Sequence, residues 1–445
     1  MTPLLPWVDP EDFYVAHVAG RDRAFWLDGS GARPWSGRLS VIGWLDDDEL
    51  SLTGRAGGAV RQHGADAADL LDADVFAAMG RLGDRRPAPS PWRWVGFLGY
   101  AARPDLPAIV DPDPDAFDSC VMRVRRFVTF DHARHRVRAI APDDEVYTWH
   151  DEITDLVSAT SSAPRILAPP AARVVSTWDS DRYGEAFAAV QHHLRLGNSY
   201  ETNLTFRTLV ESAADPLSTY RRLRRINPAP YAAFIRHEGT SLLSASPERF
   251  ATISAAGVIE TRPIKGTTPR HPEPDRDAEA ARRLTQDPKF RGENLMIVDL
   301  LRNDMARVCA LGSVEVTDLM HVESYPTVHQ LITTIQGRLR DGVDAIEALW
   351  ALFPGGSMTG APKLRTMEII AEVEDTPRGP YSGAVGWVLD DGSADLGIVI
   401  RSLVHRDTHY TLGTGGGITV SSDVDEEYAE ASWKTSRLLA SLGIP

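Results

Sequence analysis

Gly383-Ala384-Val385-Gly386-Trp387-Val388-Leu389 reads as a strand, and two further strand candidates follow it before any helix, at Ala394 to Ser402 and Tyr410 to Thr414. Helical spacing resumes only at Val424 to Leu442. Three strands in succession and then one helix fit an α+β class better than a doubly wound parallel sheet, in which every strand leads into a helical crossover. The same irregular mixture extends back along the chain. Helices are expected over Arg182 to Leu196, Pro288 to Val308, Val343 to Phe353 and Pro362 to Ala371. Strands are expected over Thr202 to Val210, Ser241 to Ser246, Phe250 to Ile253 and Val328 to Leu339.

Upstream, short apolar runs closed by glycines, such as Gly37 to Gly43 and Trp94 to Tyr100, read as strands. The composition shifts at Ser161-Ser162-Ala163-Pro164 through Ala168-Pro169-Pro170-Ala171, which reads as a linker. The expected division is an N-terminal region over 1–165 and a second domain over 172–445.

Bulk properties narrow the class. With 43% hydrophobic and 24% charged residues, the chain can build a sizeable core. Its 47 basic and 62 acidic residues give a net charge of -15, which argues against nucleic acid or an anionic membrane as partner. A small anionic substrate stays possible, because a local site can be positive on an acidic surface. The two cysteines, Cys120 and Cys309, sit in no paired motif, as suits a reducing compartment. No secretory signal and no apolar run of membrane-spanning length is evident, so a cytoplasmic location is expected.

Several segments could carry chemistry. Asp423 can cap the last helix, and positions 427, 430, 431, 434 and 438 then share one face: Glu427, Glu430, Ala431, Lys434 and Leu438. Two carboxylates one turn apart, with a lysine one turn further, could hold a hard cation beside an anion. Taken alone, a solvated face with a Glu430–Lys434 pair is the commoner case. Gly413-Thr414-Gly415-Gly416-Gly417 lets backbone approach a carboxylate or phosphate closely, or is a flexible turn. It lacks the spacing of a dinucleotide fingerprint. Gly355 to Lys363 imitates a phosphate loop, but Ala361 stands where the lysine belongs, leaving a glycine loop at a helix start.

Glu293 to Asp304 is a mostly apolar helix carrying Glu293, Asp299 and Asp304, so burial is expected and the acids need partners or a metal. Ser244-Ala245-Ser246-Pro247-Glu248 ends a strand with a glutamate at a turn, a candidate general acid or a simple cap. Tyr381 and Arg401, beside strand ends, could bind a carboxylate or be ordinary satisfied residues. Lys265, in Pro263-Ile264-Lys265-Gly266-Thr267, reads as a loop lysine that becomes a candidate nucleophile if it belongs to the same site.

Taken in order, Ser-Ala-Ser-Pro-Glu (244–248), Pro-Ile-Lys-Gly-Thr (263–267), the Glu293–Asp304 helix, Thr-Gly-Ala-Pro-Lys (359–363), Tyr-Ser-Gly-Ala-Val-Gly (381–386) and the glycine run with Glu427, Glu430 and Lys434 resemble the chorismate-utilising enzymes. That family includes anthranilate, isochorismate, salicylate and aminodeoxychorismate synthases. The resemblance implies a large two-sheet sandwich flanked by helices. It implies Mg2+ held by Glu293, Glu427 and Glu430, with Lys434 near the substrate's ring carboxylate. Tyr381, Arg401 and the amides around Gly415, Gly416 and Gly417 match the groups that hold the pyruvyl carboxylate; Thr359 and Gly360 count among the substrate-binding positions. Glu248 matches the general acid.

Two positions separate the branches. Lysine at the position of Lys265 is similar to the aminodeoxychorismate (para-aminobenzoate, folate-type) branch, where it is thought to add covalently to the ring before ammonia displaces it. Glu201 stands where water-activating relatives carry lysine, so amination is the implied chemistry. The family's acidic residue three before Glu293 is here Phe290, which leaves more of the metal shell to water. Neither cysteine lies in a glutaminase elbow, so ammonia comes free or from a separate glutamine amidotransferase subunit. The rival readings are anthranilate synthase, a secondary-metabolism enzyme forming 2-amino-2-deoxyisochorismate, and a catalytically silent regulatory subunit.

Overall fold

The computed structural model describes residues 3–29, 38–58, 60–70, 73–83, 94–113, 116–325 and 328–445; Met1, Thr2 and Gly37 lie outside them. Among these residues the chain forms two large antiparallel sheets packed face to face, with helices on the outer surfaces. One sheet has eleven strands and the other twelve. Between them lies a layer of fully buried side chains drawn from both: Phe25, Val41, Ala233, Ile235 and Leu242 from one, Val95, Phe97, Cys120, Met122 and Val385 from the other. Helices cover both outer faces, which explains why strands such as Trp94–Leu98 and Thr240–Ser246 are apolar or small throughout instead of alternating.

The expected three-strand run is present as Ala384–Val388, Ala394–Ile398 and His409–Ile418, but with two differences. The stretch Ala394 to Ser402 is two strands, not one. It breaks before Ser402–Arg406 because Arg401 takes the left-handed φ of 51°, which ends the extended backbone. The glycines Gly413 to Gly417, open to reading as a turn, are instead part of the last strand, paired residue for residue with Glu201–Ser212.

The division at 165–172 does not separate two folding units. Arg23–Asp28 pairs with Tyr231–His237, and Trp94–Leu98 pairs with Ala384–Val388, so both sheets run through the N-terminal and C-terminal parts. The N-terminal strands extend sheets begun by the C-terminal ones, and hydrogen bonding leaves no seam between them.

The helices follow simple rules. Val424–Ser441 is capped by Asp423, whose carboxylate accepts from the amides of Asp425 and Glu426, and it packs on the glycine strand through Ala431 and Leu438. Pro288–Ala306 starts with proline in its first turn and an Asp287 cap. Only one of its faces is buried, through Asn294, Ile297, Val298, Leu301 and Met305, while Leu295 and Asp299 face outward. The expectation of a wholly buried helix was therefore too strong. Lys265 also lies differently from the loop expected: Ile264–Pro269 is a short edge strand on Val328–Arg338, with a bulge between Ile264 and Thr267.

Candidate active site

A cavity of about 510 Å3 opens where the glycine strand His409–Ile418 meets the edge strand Ile264–Pro269 and the helices Pro288–Ala306 and Val424–Ser441. Lys265, Glu248, Tyr381, Arg401, Gly415, Gly416, Gly417, Glu293, Glu427, Glu430 and Lys434 all line it. Residues spread over nearly 190 positions of sequence thus converge on one space, as the motif order implied. Thr359 and Gly360 do not reach it. Thr359 is fully buried with its hydroxyl on the carbonyl of Gly356, and Gly360 pairs with Thr202. They brace the strand that carries Glu201.

The floor is glycine for a steric reason. A Cβ on Gly416 would stand 3.1 Å from Glu427 Oε2 and 3.7 Å from Lys434 Nζ; one on Gly417 would stand 2.3 Å from Glu201 Oε1 and 3.3 Å from Lys265 Nζ. Any side chain there would fill the space between the charged groups. The strand therefore brings bare backbone to the place where charges gather.

Lys265 Nζ donates to Glu201 Oε1 at 2.6 Å. Burial alone would lower the lysine's pKa, but the carboxylates of Glu201, Glu293 and Glu248 outweigh it, so the net shift is upward. At rest the amine is therefore an ammonium. It needs a proton acceptor before it can attack anything, and Glu201 is in contact. The second oxygen of Glu201, Oε2, is buried with no hydrogen-bond partner among the described residues, an expensive condition that suits a group meant to change partners.

The acids across the cavity are similarly strained. Glu293 is pushed up to about 7 by burial, which prevails over the pull of Lys265 and Lys289 downward, while Glu201 and Glu427 add smaller repulsions. Glu427 Oε1 accepts from Ser422 Oγ at 2.9 Å and from Lys289 Nζ at 3.3 Å. Glu430 is held below the usual carboxylate range first by Lys434, 2.8 Å away, whose ammonium also donates to the Gly415 carbonyl at 2.8 Å. Three carboxylates around a glycine floor, one of them disfavoured as an anion by burial, could hold a hard divalent cation with water completing the shell.

Another part of the wall is suited to an anion. Tyr381 lies over Gly413, where a Cβ would come within 2.3 Å of the ring, and Arg207 stacks on its other face at 4.9 Å. Arg401 is half-buried, and desolvation lowers its pKa to about 10 and still leaves it charged; it donates to the Lys434 carbonyl at 3.2 Å. Its left-handed φ is a local strain of the kind found where a side chain is aimed for function.

Lining residues that escaped the sequence reading include Lys289, Trp433, Asn203 and Gln330. Lys289 had a usable signal, since it sits four residues before Glu293 and so on the same helix face. Trp433, 51% exposed at the mouth, had none. Phe290 explains its own departure from the family pattern. Its ring lies 3.2 Å from where a Cβ of Gly266 would be, so it props the strand carrying Lys265, and Gly266 answers with a φ of 90°.

With this geometry in view, the comparisons with known proteins are informative. The family model described as chorismate binding enzyme matches residues 24–440. An aminodeoxychorismate synthase from Streptomyces pristinaespiralis is 37% identical over 98% of this chain; the chain spans 64% of that relative and 60% of a similar one from Streptomyces griseus. Aminodeoxychorismate synthase component 1 of Klebsiella aerogenes is 35% identical, with 98% of both chains covered. An anthranilate synthase component 1 from Haloarcula marismortui is 36% identical over 95% of this chain and 88% of its own. The crystal structure of anthranilate synthase component I from Streptococcus pneumoniae superposes with a TM-score of 0.78 at 25% identity, over 92% of this chain and 93% of that one. Fold, site and sequence agree, and the chain belongs to the chorismate-binding enzymes.

Proposed function

We propose that the protein aminates chorismate to 4-amino-4-deoxychorismate, taking ammonia from solution or from a separate glutaminase subunit. The observation that carries the reading is Lys265, an amine inside the carboxylate-lined cavity in direct contact with a buried glutamate. In this reading Glu201 accepts the Lys265 proton. The freed amine forms a C–N bond to the substrate ring while the ring C–O bond breaks, and Glu248 protonates the departing hydroxyl to water. Ammonia then forms the new C–N bond and the lysine leaves with the electron pair of its own, regaining a proton from Glu201. A covalent adduct divides one hard substitution into two steps.

Glu293, Glu427 and Glu430 would hold Mg2+, which when bound neutralises and orients the ring carboxylate. Tyr381 and Arg401 bind the pyruvyl carboxylate, and the Gly415–Gly417 backbone leaves room for it. Lys289 occupies one of the Glu427 oxygens in the resting site and has to swing aside when a cation arrives. Relatives named as component 1 support a partner subunit.

A second reading, anthranilate formation, is favoured by the relatives that carry that name. Incubation with chorismate, Mg2+ and an ammonium salt, followed by mass analysis, separates the two. The expected product is aminated and retains its enolpyruvyl group. Direct appearance of anthranilate and pyruvate would establish the second reading, and absence of any turnover would favour a silent regulatory subunit.

A further inference from the structure

We propose that His63, His237 and Glu238 form a transition-metal site, suited to Zn2+, that ties the two sheets of the sandwich together. His63 ends the strand Val60–His63 in the twelve-stranded sheet, and His237 ends Tyr231–His237 in the eleven-stranded one. Glu238 follows at once, in a two-residue turn with Gly239 whose φ values, 43° and 83°, are both left-handed. One ligand atom from each residue can be chosen so that all three lie within 4.8 Å of one another.

The surroundings resemble a prepared outer shell. His63 Nε2 lies 2.9 Å from Thr53 Oγ1, and His237 Nε2 lies 2.9 Å from Ser51 Oγ. Ser51 and Thr53 are two apart on the strand Ser51–Gly54 and so present their hydroxyls on the same face. With both Nε2 atoms engaged, both rings offer Nδ1. His63 Nδ1 is 3.1 Å from Glu238 Oε1. His237 Nδ1 has no partner among the described residues although the residue is only 1% exposed. A buried ring nitrogen left unpaired is costly and calls for a ligand. A partner on the far nitrogen fixes the orientation of a metal-binding imidazole, and here two hydroxyls take that place.

The charges nearby are mixed. Arg23 donates to Ser51 Oγ at 3.3 Å and to the Glu49 carbonyl at 2.8 Å, and it repels a cation; the Glu238 carboxylate opposes it. Burial lowers His237 to about 3 and, against the opposing pull of Glu238, lowers His63 as well. Cys120 is close enough to feel Glu238, but burial keeps it a thiol and it is not counted as a ligand. Two nitrogens and one carboxylate suit Zn2+ or a similar borderline ion with water in the fourth place, and do not suit Mg2+. Bonds of about 2.0–2.1 Å bring neighbouring ligand atoms closer than the resting spread, and Glu238, its side chain 52% exposed at a hairpin tip, can supply that movement.

The test uses the untagged full-length chain, stripped with chelator and dialysed against Zn2+ with Mg2+ in large excess to occupy the catalytic carboxylates. One Zn2+ per chain should be retained, with a rise in Tm, and Co2+ should give the visible absorption of a four-coordinate site. His63→Gln and Glu238→Gln should each weaken Zn2+ binding by about tenfold or more while leaving the far- and near-UV circular dichroism unchanged. Failure of the wild type to keep Zn2+ against Mg2+, or equal retention in both folded variants, would overturn the site. If either variant loses its circular dichroism, His63→Asn and Glu238→Ala take their place under the same criteria.

Discussion

Two charged clusters lie within a few residues of each other in this fold and behave in opposite ways. Beneath the cavity floor, Glu374 accepts from the Thr205 amide and hydroxyl, from Arg207, and twice from Arg378. Arg378 also donates to the carbonyls of Met358 and Asn203 and lies over the Tyr100 ring at 4.4 Å. At the cavity, by contrast, the lining acids Glu427 and Glu430 and the buried Glu201 each meet a lysine, and the acids also repel one another. The first cluster is locked by rigid guanidinium forks and backbone; the second is held by flexible ammonium groups that can let go. The difference teaches that buried charge alone does not mark an active site. What marks it is like charge gathered around open space, balanced by partners able to move.

Removing a member should therefore have opposite consequences in the two clusters. Glu374→Ala strands two buried guanidinium groups and should cost about 3–5 kcal/mol of stability, since a broken buried pair leaves an uncompensated charge. Urea unfolding with the wild-type slope but a much lower midpoint would show this. A midpoint within error of the wild type would mean that the lower cluster is no more structural than the upper one.

Lys265→Ala is the matching change in the cavity. It removes the amine and relieves Glu201 of a partner in a site that already contains water-accessible space. Amination should fall by about 10^2–10^4-fold, the range ordinarily contributed by one positioned proton-transfer or nucleophilic group. Stability should change by less than about 1 kcal/mol, because the cavity can admit water to solvate the remaining acids. Wild-type rates in this variant would remove the covalent role; a collapse in stability would place Lys265 with the structural cluster.

How much of this was legible beforehand differs between the clusters for the same physical reason. The strand runs, the capped last helix and the Glu427–Glu430–Lys434 face depend on neighbours three or four residues apart, and local spacing records them. Glu374 and Arg378 are also four apart, but their meaning lies in the carbonyls of Asn203 and Met358, which no local pattern announces. Arg401 was visible as a candidate, yet the break it makes in the strand depends on a backbone twist imposed by tertiary contacts. The glycine run was open to two readings, bare backbone beside an anion or a flexible turn, because glycine serves both. Here it is a strand, because side chains would occupy the cavity. The expected domain division failed because sheet pairing between distant segments leaves no trace in composition.

The smallest effect concerns Glu293, and it tests whether the upper cluster is waiting for a cation. Burial first, and then the nearby acids, place its carboxyl at about 7, so in the cation-free protein near pH 7 it is about half protonated. A divalent ion binds the carboxylate and not the acid. Mg2+ affinity should therefore weaken as pH falls below 7, by up to about tenfold per unit, and should level off above pH 8 where the group is already ionised. Titrating Mg2+ by calorimetry at pH 6, 7 and 8 reads this directly, with proton release on binding largest at the lower values. Glu293→Gln should lower the affinity and flatten the profile. A wild-type affinity independent of pH over that range would mean that Glu293 is not a ligand, and the contrast between a locked cluster and a poised one would then rest on Lys265 alone.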